Sequence, residues 1–270
     1  MPAVLRLIHP APTAAVVTLA AALAAILSTQ AGGAPIGTRV VLIAASVLGS
    51  QVLTGALNDW ADRGRDAAVQ PTKPIPAGSA SPTTALLVAS SGLLLQVATS
   101  LPLGAAPLLL GLAASASAAA YNLWLSRSIF SFVPYLISFG LLPLWVASGV
   151  GAPLDRVAAA SLLVGPFAVA AHLANTLRDF DVDARAGSAN LAQHLGRGGT
   201  FGVAWGMAMA VGIGVGLAFG LTGQLNAVTM ALGLAGIVAV GQGLTGPERL
   251  WGGMLVAAVC WTAAWALATG

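Results

Sequence analysis

Nine stretches of about twenty mostly apolar residues follow one another along this chain, and that recurrence limits the fold more than any single motif does. They run 11–30, 38–58, 82–101, 105–125, 129–149, 156–177, 200–220, 224–243 and 250–268. Each is long enough to cross a bilayer core as a helix. Gly, Pro or charge marks the breaks, as at Gly32-Gly33-Ala34-Pro35, Pro102-Leu103-Gly104, Gly151-Ala152-Pro153 and Gly246-Pro247. Only 7% of the 270 residues are charged, against about 25% in soluble domains. That excludes a soluble enzyme, a disordered chain and a protein that grips nucleic acid with a basic face. The lone cysteine, Cys260, excludes a disulfide framework and a zinc site of several thiolates. The expected fold class is all-α: a polytopic membrane protein of nine transmembrane helices, with residues 1–270 forming one integral-membrane domain.

Arg6 and the first apolar stretch resemble the start of a signal peptide. The stretch is longer than an h-region of about 7–15 residues, and eight more spans follow, so it is expected to stay as a membrane helix. With the N-terminus inside, the threading collects Arg6, Arg63, Arg65, Lys73, Arg127, Arg178, Arg185, Arg197 and Arg249 on the inner side. Arg39 and Arg156 remain outside. This positive-inside bias predicts a multi-pass protein of the cytoplasmic membrane, with the two long loops, 59–81 and 178–199, on the cytoplasmic side.

Six of the eight acidic residues fall in those two regions. Each region carries the frame Asn-x-x-x-Asp-x-x-x-Asp: Asn58, Asp62, Asp66 and Asn175, Asp179, Asp183. At about 100° per residue, each set lies on one face of a helix, with Asp59 beside the first. Asp181 points away from the second. Like charges at this spacing repel, and charges near a bilayer are costly. A shared cation relieves both penalties. Mg2+ fits, because it takes oxygen ligands from one or two carboxylates plus substrate phosphates. Asn58, Asp59, Asp62, Asp66, Asp179 and Asp183 are therefore the expected metal-binding residues, and Asp62, Asp66, Asp179 and Asp183 the expected catalytic ones. The bases in the same loops, Arg63, Arg65, Lys73, Arg178 and Arg185, are placed to contact phosphate oxygens.

The string Asn58-Asp59-Trp60-Ala61-Asp62-Arg63-Gly64-Arg65-Asp66 resembles the NDxxDxxxD motif of the UbiA superfamily of intramembrane prenyltransferases, and Asp179 with Asp183 resembles its second motif, DxxxD. Lys73-Pro74-Ile75-Pro76-Ala77-Gly78 is similar to the basic-Pro-x-Pro-x-Gly stretch after the first motif. Ala186-Gly187 and Leu195-Gly196 are similar to the tail of the second, and Tyr121-Asn122 before Arg127 to a mid-chain motif. Two positions depart: Ser188 stands where many relatives carry a base, and Arg127 is the sole base of the mid-chain segment. The resemblance implies a helical bundle around a central cavity. It also implies Mg2+-dependent transfer of an isoprenyl chain from its diphosphate to a small acceptor, often the aromatic precursor of a quinone. Tyr121, Asn122, Arg127 and Asn175 join Arg63, Arg65, Lys73 and Arg178 as expected substrate-binding residues. The implied partners are the isoprenyl diphosphate, the acceptor and membrane lipid, with no nucleic acid and no protein partner.

Other readings remain. The same diphosphate machinery serves a terpene cyclase or transfer to a non-aromatic acceptor. An ion-coupled transporter also uses intramembrane carboxylates, but here the acids lie at helix ends and stand among bases. His9 is expected to be an interfacial residue, His172 a core histidine, and His194 a loop residue.

Overall fold

The protein is described by a computed structural model covering residues 2–185 and 187–269. Among these residues all regular structure is helical. The helices are α1 (Ala3–Leu7), α2 (Pro10–Gln30), α3 (Thr38–Val69), α4 (Pro82–Ser100), α5 (Ala105–Leu123), α6 (Val133–Val150), α7 (Asp155–Arg178), α8 (Phe180–Arg185), α9 (Leu191–Leu221), α10 (Ala227–Gly241) and α11 (Pro247–Thr269). Nine of the described helices are long and apolar enough to span a membrane, all but α1 and α8. Each coincides with one of the nine expected stretches, and the chain is an integral, multi-pass membrane protein. Large apolar side chains on the spans also face outward, among them Leu94, 69% exposed on α4, and Val259, 64% exposed on α11. Outward apolar faces of this kind are suited to lipid.

The loops depart from expectation. Residues 59–69 continue α3 as helix, and α9 begins at Leu191, nine residues before the expected seventh span. Hydropathy falls at Asn58, but the backbone bonds of α3 continue because its polar residues find partners, as described below. Inside α9, Gly196 takes φ 69° and ψ 169°. A side chain would be strained there. Thr200 Oγ1 donates to the carbonyls of Ala192 (3.0 Å) and Gly196 (2.8 Å), which satisfies the groups the kink releases.

The described residues form two compact units. One comprises the chain up to Ser126 with Leu141–Ala158; the other comprises Arg127–Gly140 with the chain from Ala159 onward. In the first, α3 and α4 touch backbone to backbone. A Cβ on Gly49 would lie 2.5 Å from the Gln96 nitrogen, and one on Gly92 would lie 2.5 Å from the Leu53 nitrogen. Small residues permit such approach, and polar residues then bond across it. Ser46 and Ser100 hydroxyls are 2.6 Å apart, those of Ser50 and Ser115 2.7 Å, and Ser115 donates to Gln96 Oε1 at 2.8 Å. In the second unit, Val169, Leu173, Val211, Met254 and Trp261 are core residues. The Trp261 indole donates to the Gly233 carbonyl at 3.1 Å.

Candidate active site

In the first unit the end of α3 carries an acidic face. Asp59, Asp62 and Asp66 are buried, at 2%, 2% and 0% exposure. Three carboxylates on one helical face need cations, and the chain supplies them locally. Arg65 Nη2 donates to Asp62 Oδ2 at 2.9 Å. Lys73 Nζ bridges Asp66 Oδ2 at 2.8 Å and Asp59 Oδ1 at 3.2 Å.

The turn after α3 delivers Lys73. The Gln70 amide closes the helix on the Asp66 carbonyl (2.8 Å). The Ser79 and Ala80 amides both donate to the Pro74 carbonyl (3.0 Å), and Gly78 takes φ 69°. This is the structural content of the Lys73-Pro74-Ile75-Pro76-Ala77-Gly78 stretch: a tight reversal with buried Pro74, which turns Lys73 back onto the helix it has just left. Burial alone would lower the Lys73 pKa; its hydrogen bond to Asp66 and the charges of Asp59 and Asp66 outweigh that and raise it.

Asn58 Nδ2 donates to Asp62 Oδ2 (3.3 Å) and to Asn122 Oδ1 (3.2 Å), and Asn122 Nδ2 donates to the Thr54 carbonyl (2.8 Å). Asn58, Asp62, Arg65 and Asn122 are thus bonded together, and Asp59, Asp66 and Lys73 make a second linked set beside them at the end of α3; the two sets form the acidic group. Tyr121 is half-buried beside Asn122 on α5. Arg63 is outside the group: it lies about 140° round the helix from Asn58, donates to the Trp60 carbonyl (2.6 Å) and covers the Trp60 ring at 4.7 Å.

His9, expected to be merely interfacial, joins the group, with Nε2 3.1 Å from Asp59 Oδ1. The signal for it was the threading itself: the start of the first span and the end of the second lie at the same membrane face, so the polar residue before Pro10 comes beside the acids after Leu57.

In the second unit the frame is interrupted. Asn175 and Arg178 are exposed on α7, which ends at Arg178. Asp179 is an exposed bend, and α8 begins at Phe180. The expectation of one continuous helical face for Asn175, Asp179 and Asp183 is therefore corrected. One helical turn survives, since the Asp183 amide donates to the Asp179 carbonyl at 2.9 Å. Asp183 Oδ2 accepts from Asn190 Nδ2 at 3.1 Å, while Asn190 Oδ1 caps α9 through the Gln193 amide. Asp181, 73% exposed, pairs with Arg197 at 2.5 Å. Arg185 donates to the Asp181 carbonyl at 3.2 Å. Arg127 is exposed at the end of the Leu125–Arg127 turn. Ala186, in the tail of the second motif, lies outside the described residues. His172 is buried and stacked on Tyr135 at 4.1 Å, as a core histidine, and His194 sits exposed in the first turn of α9 rather than in a loop. An open cleft of about 610 Å³ adjoins this frame, with Arg178, Asp179, Glu248 and Arg249 in its walls.

Among the described residues no three Asp, Glu, His or Cys side chains converge as a preformed metal-ligand set; side-chain cations hold the carboxylates of α3. The donor set nonetheless fits a hard divalent ion, being all carboxylate and amide oxygen. Asp66 Oδ1, buried and without a hydrogen-bond partner among the described residues, is an oxygen left for such a ligand.

The sequence profile of the UbiA prenyltransferase family matches residues 15–248, and the chain belongs to that family. No functionally curated protein matches it in sequence. Solved structures share its fold at low identity. A structure described as digeranylgeranylglyceryl phosphate synthase superposes with a TM-score of 0.77 at 15% identity, over 99% of this chain and 97% of that one. The apo UbiA homologue from Aeropyrum pernix K1 gives 0.76 at 17%, over 92% and 96%. The UbiA homologue from Archaeoglobus fulgidus bound to GPP and Mg2+ gives 0.70 at 16%, over 99% and 100%.

Proposed function

We propose that residues 1–270 act as one catalytic domain that transfers an isoprenyl chain from its diphosphate to a small, electron-rich aromatic acceptor, a quinone precursor, within the cytoplasmic membrane. Its N-terminus and acidic frames face the cytoplasm, in keeping with the positive-inside bias. The observation that carries the reading is the face of Asp59, Asp62 and Asp66, fully buried carboxylates held by Lys73 and Arg65. Basic residues among the acids suit an anionic diphosphate with its metal better than a cation pathway. The Archaeoglobus fulgidus homologue binds GPP and, in a second structure, DMAPP, each with Mg2+, which supports the same class of donor here.

Asn58, Asp59, Asp62 and Asp66 would hold Mg2+ in the first frame, and Asp179 and Asp183 in the second. When bound, the ion stabilises the negative charge that develops on the leaving diphosphate. Arg65 and Lys73 at the first frame, and Asn175 and Arg178 at the second, bind phosphate oxygens. Arg63 and Arg127, both exposed, bind at the rim of the phosphate region. Tyr121 and Asn122 orient the acceptor. The carbon–oxygen bond to diphosphate breaks with its electron pair on oxygen. The acceptor carbon attacks the resulting allylic cation, and its proton departs.

Purified protein incubated with isoprenyl diphosphates of several lengths and a panel of aromatic and non-aromatic acceptors tests this. A prenylated aromatic product that forms with Mg2+ and not with EDTA is expected. Diphosphate release that needs no acceptor would instead indicate cyclisation or hydrolysis.

A further inference from the structure

His9 is the one described non-glycine residue with positive φ, at φ 50° and ψ 70°. Its surroundings impose that backbone. Leu7, fully buried, packs with Ala56, Ala85 and Ala89. Gly55 lies so close to the turn that a Cβ there would stand 3.0 Å from the Leu7 carbonyl oxygen and 3.1 Å from the Ile8 carbonyl carbon. Thr13 Oγ1 donates to the Ile8 carbonyl at 2.6 Å, and Arg6 Nη2 donates to the Thr72 carbonyl at 2.5 Å. The segment before α2 is thus a clamped hook. Its strained corner directs one side chain at α3, where His9 Nε2 meets Asp59 Oδ1 at 3.1 Å. Strain retained at an over-determined position points to use. The carboxylate partner requires the proton on Nε2.

Lys73 also reaches Asp59 Oδ1, but it bridges to Asp66 as well. If Lys73 turns to a diphosphate, as the proposed function requires, His9 alone still fixes Asp59. Asp59 Oδ2, the oxygen that neither His9 nor Lys73 contacts, is then the one left to a metal. Partners of this kind hold ligating carboxylates in place and are worth about 10- to 100-fold in metal affinity. We propose that His9 is a positioning residue of the first acidic frame, pinning Asp59 through Oδ1 so that Oδ2 is presented to the divalent ion. This rests on the metal-binding role given to Asp59, Asp62 and Asp66 above.

Mn2+ binding to the purified full chain without substrate, followed by electron paramagnetic resonance beside a thermal melt, tests it. His9→Gly removes the side chain and relieves the backbone. It should weaken Mn2+ binding about tenfold while the melting temperature stays level or rises. His9→Gln presents an amide N–H at about the reach of Nε2 and should keep affinity within about twofold of wild type. Asp66→Asn is the reference for the frame. If His9→Gly binds Mn2+ like wild type while Asp66→Asn loses it, the positioning role is overturned and the proposed function stands. If His9→Gln is as weak as His9→Gly, the hydrogen bond is not what acts, and the inference fails. If Asp66→Asn binds like wild type, the metal role of the frame fails, and this inference with it.

Discussion

Lys73 Nζ donates to Asp66 Oδ2 at 2.8 Å across seven residues of sequence, so a fully buried carboxylate has its counter-ion supplied by the turn that ends its own helix. Removing one partner of a buried pair leaves the other uncompensated and costs about 3–5 kcal/mol where the charge persists. Lys73→Met should therefore lower the melting temperature in detergent without Mg2+. Added Mg2+ should raise it by more in the variant than in wild type, because the ion replaces the lost charge. Melts with and without Mg2+ check this. An equal Mg2+ effect in both proteins would contradict a shared cation position.

The same pair has a pH signature. The Lys73 pKa is raised above its ordinary 10.5 in the folded protein. The protonated group therefore contributes its full stability below the ordinary value, and loses it as pH climbs through the raised one. The stability difference between wild type and Lys73→Met should stay constant from neutral pH to about pH 10 and shrink above that. Parallel melts across that range measure it.

The acids of the two frames should differ in sensitivity from their neighbour. Asp62→Asn and Asp179→Asn should each lower prenyl transfer by about 10²-fold or more. Asp181→Asn, which breaks only an exposed pair with Arg197, should retain most of it. Asp62→Asn also weakens the contact with Arg65, so its melting temperature should fall slightly, even though one like-charge neighbour is removed from the helix. Initial rates at saturating Mg2+ give the order.

The α3–α4 contact should tolerate no side chain. A Cβ on Gly49 meets backbone at 2.5 Å, which cannot move like a flexible side chain. Gly49→Ala should destabilise by about 1–3 kcal/mol. Gly206→Ala on α9, where nothing lies within 4 Å of the added atom, should be neutral or stabilising by about 0.5–1 kcal/mol. Paired melts compare them.

The spans were legible because a bilayer demands about twenty apolar residues whatever their packing. The first frame was legible because its carboxylates repeat at helical spacing. The run of α3 to Val69 was not, since hydropathy ends at Asn58 and the helix persists through contacts made by Lys73, Arg65 and His9. The break at Asp179 hides in a sequence whose spacing alone fits a continuous helix. The contact of His9 with Asp59 has no local pattern, because it depends on a left-handed backbone beside Leu7, Ile8 and Gly55; only the threading brings the two residues to one membrane face. The contact of Arg63 with Trp60 follows from its helical angle, which its nearness in sequence to the other bases does not reveal.

The most direct test of the central claim is the rate of diphosphate release and prenyl transfer from isoprenyl diphosphate by the purified protein, measured with Mg2+ and with EDTA for wild type, Asp62→Asn and Asp179→Asn. Transfer should require Mg2+ and collapse in both variants if the carboxylates of each frame serve the metal–diphosphate site. Undiminished turnover in EDTA, or near-normal rates in either variant, would contradict the assignment of these carboxylates to a metal–diphosphate site.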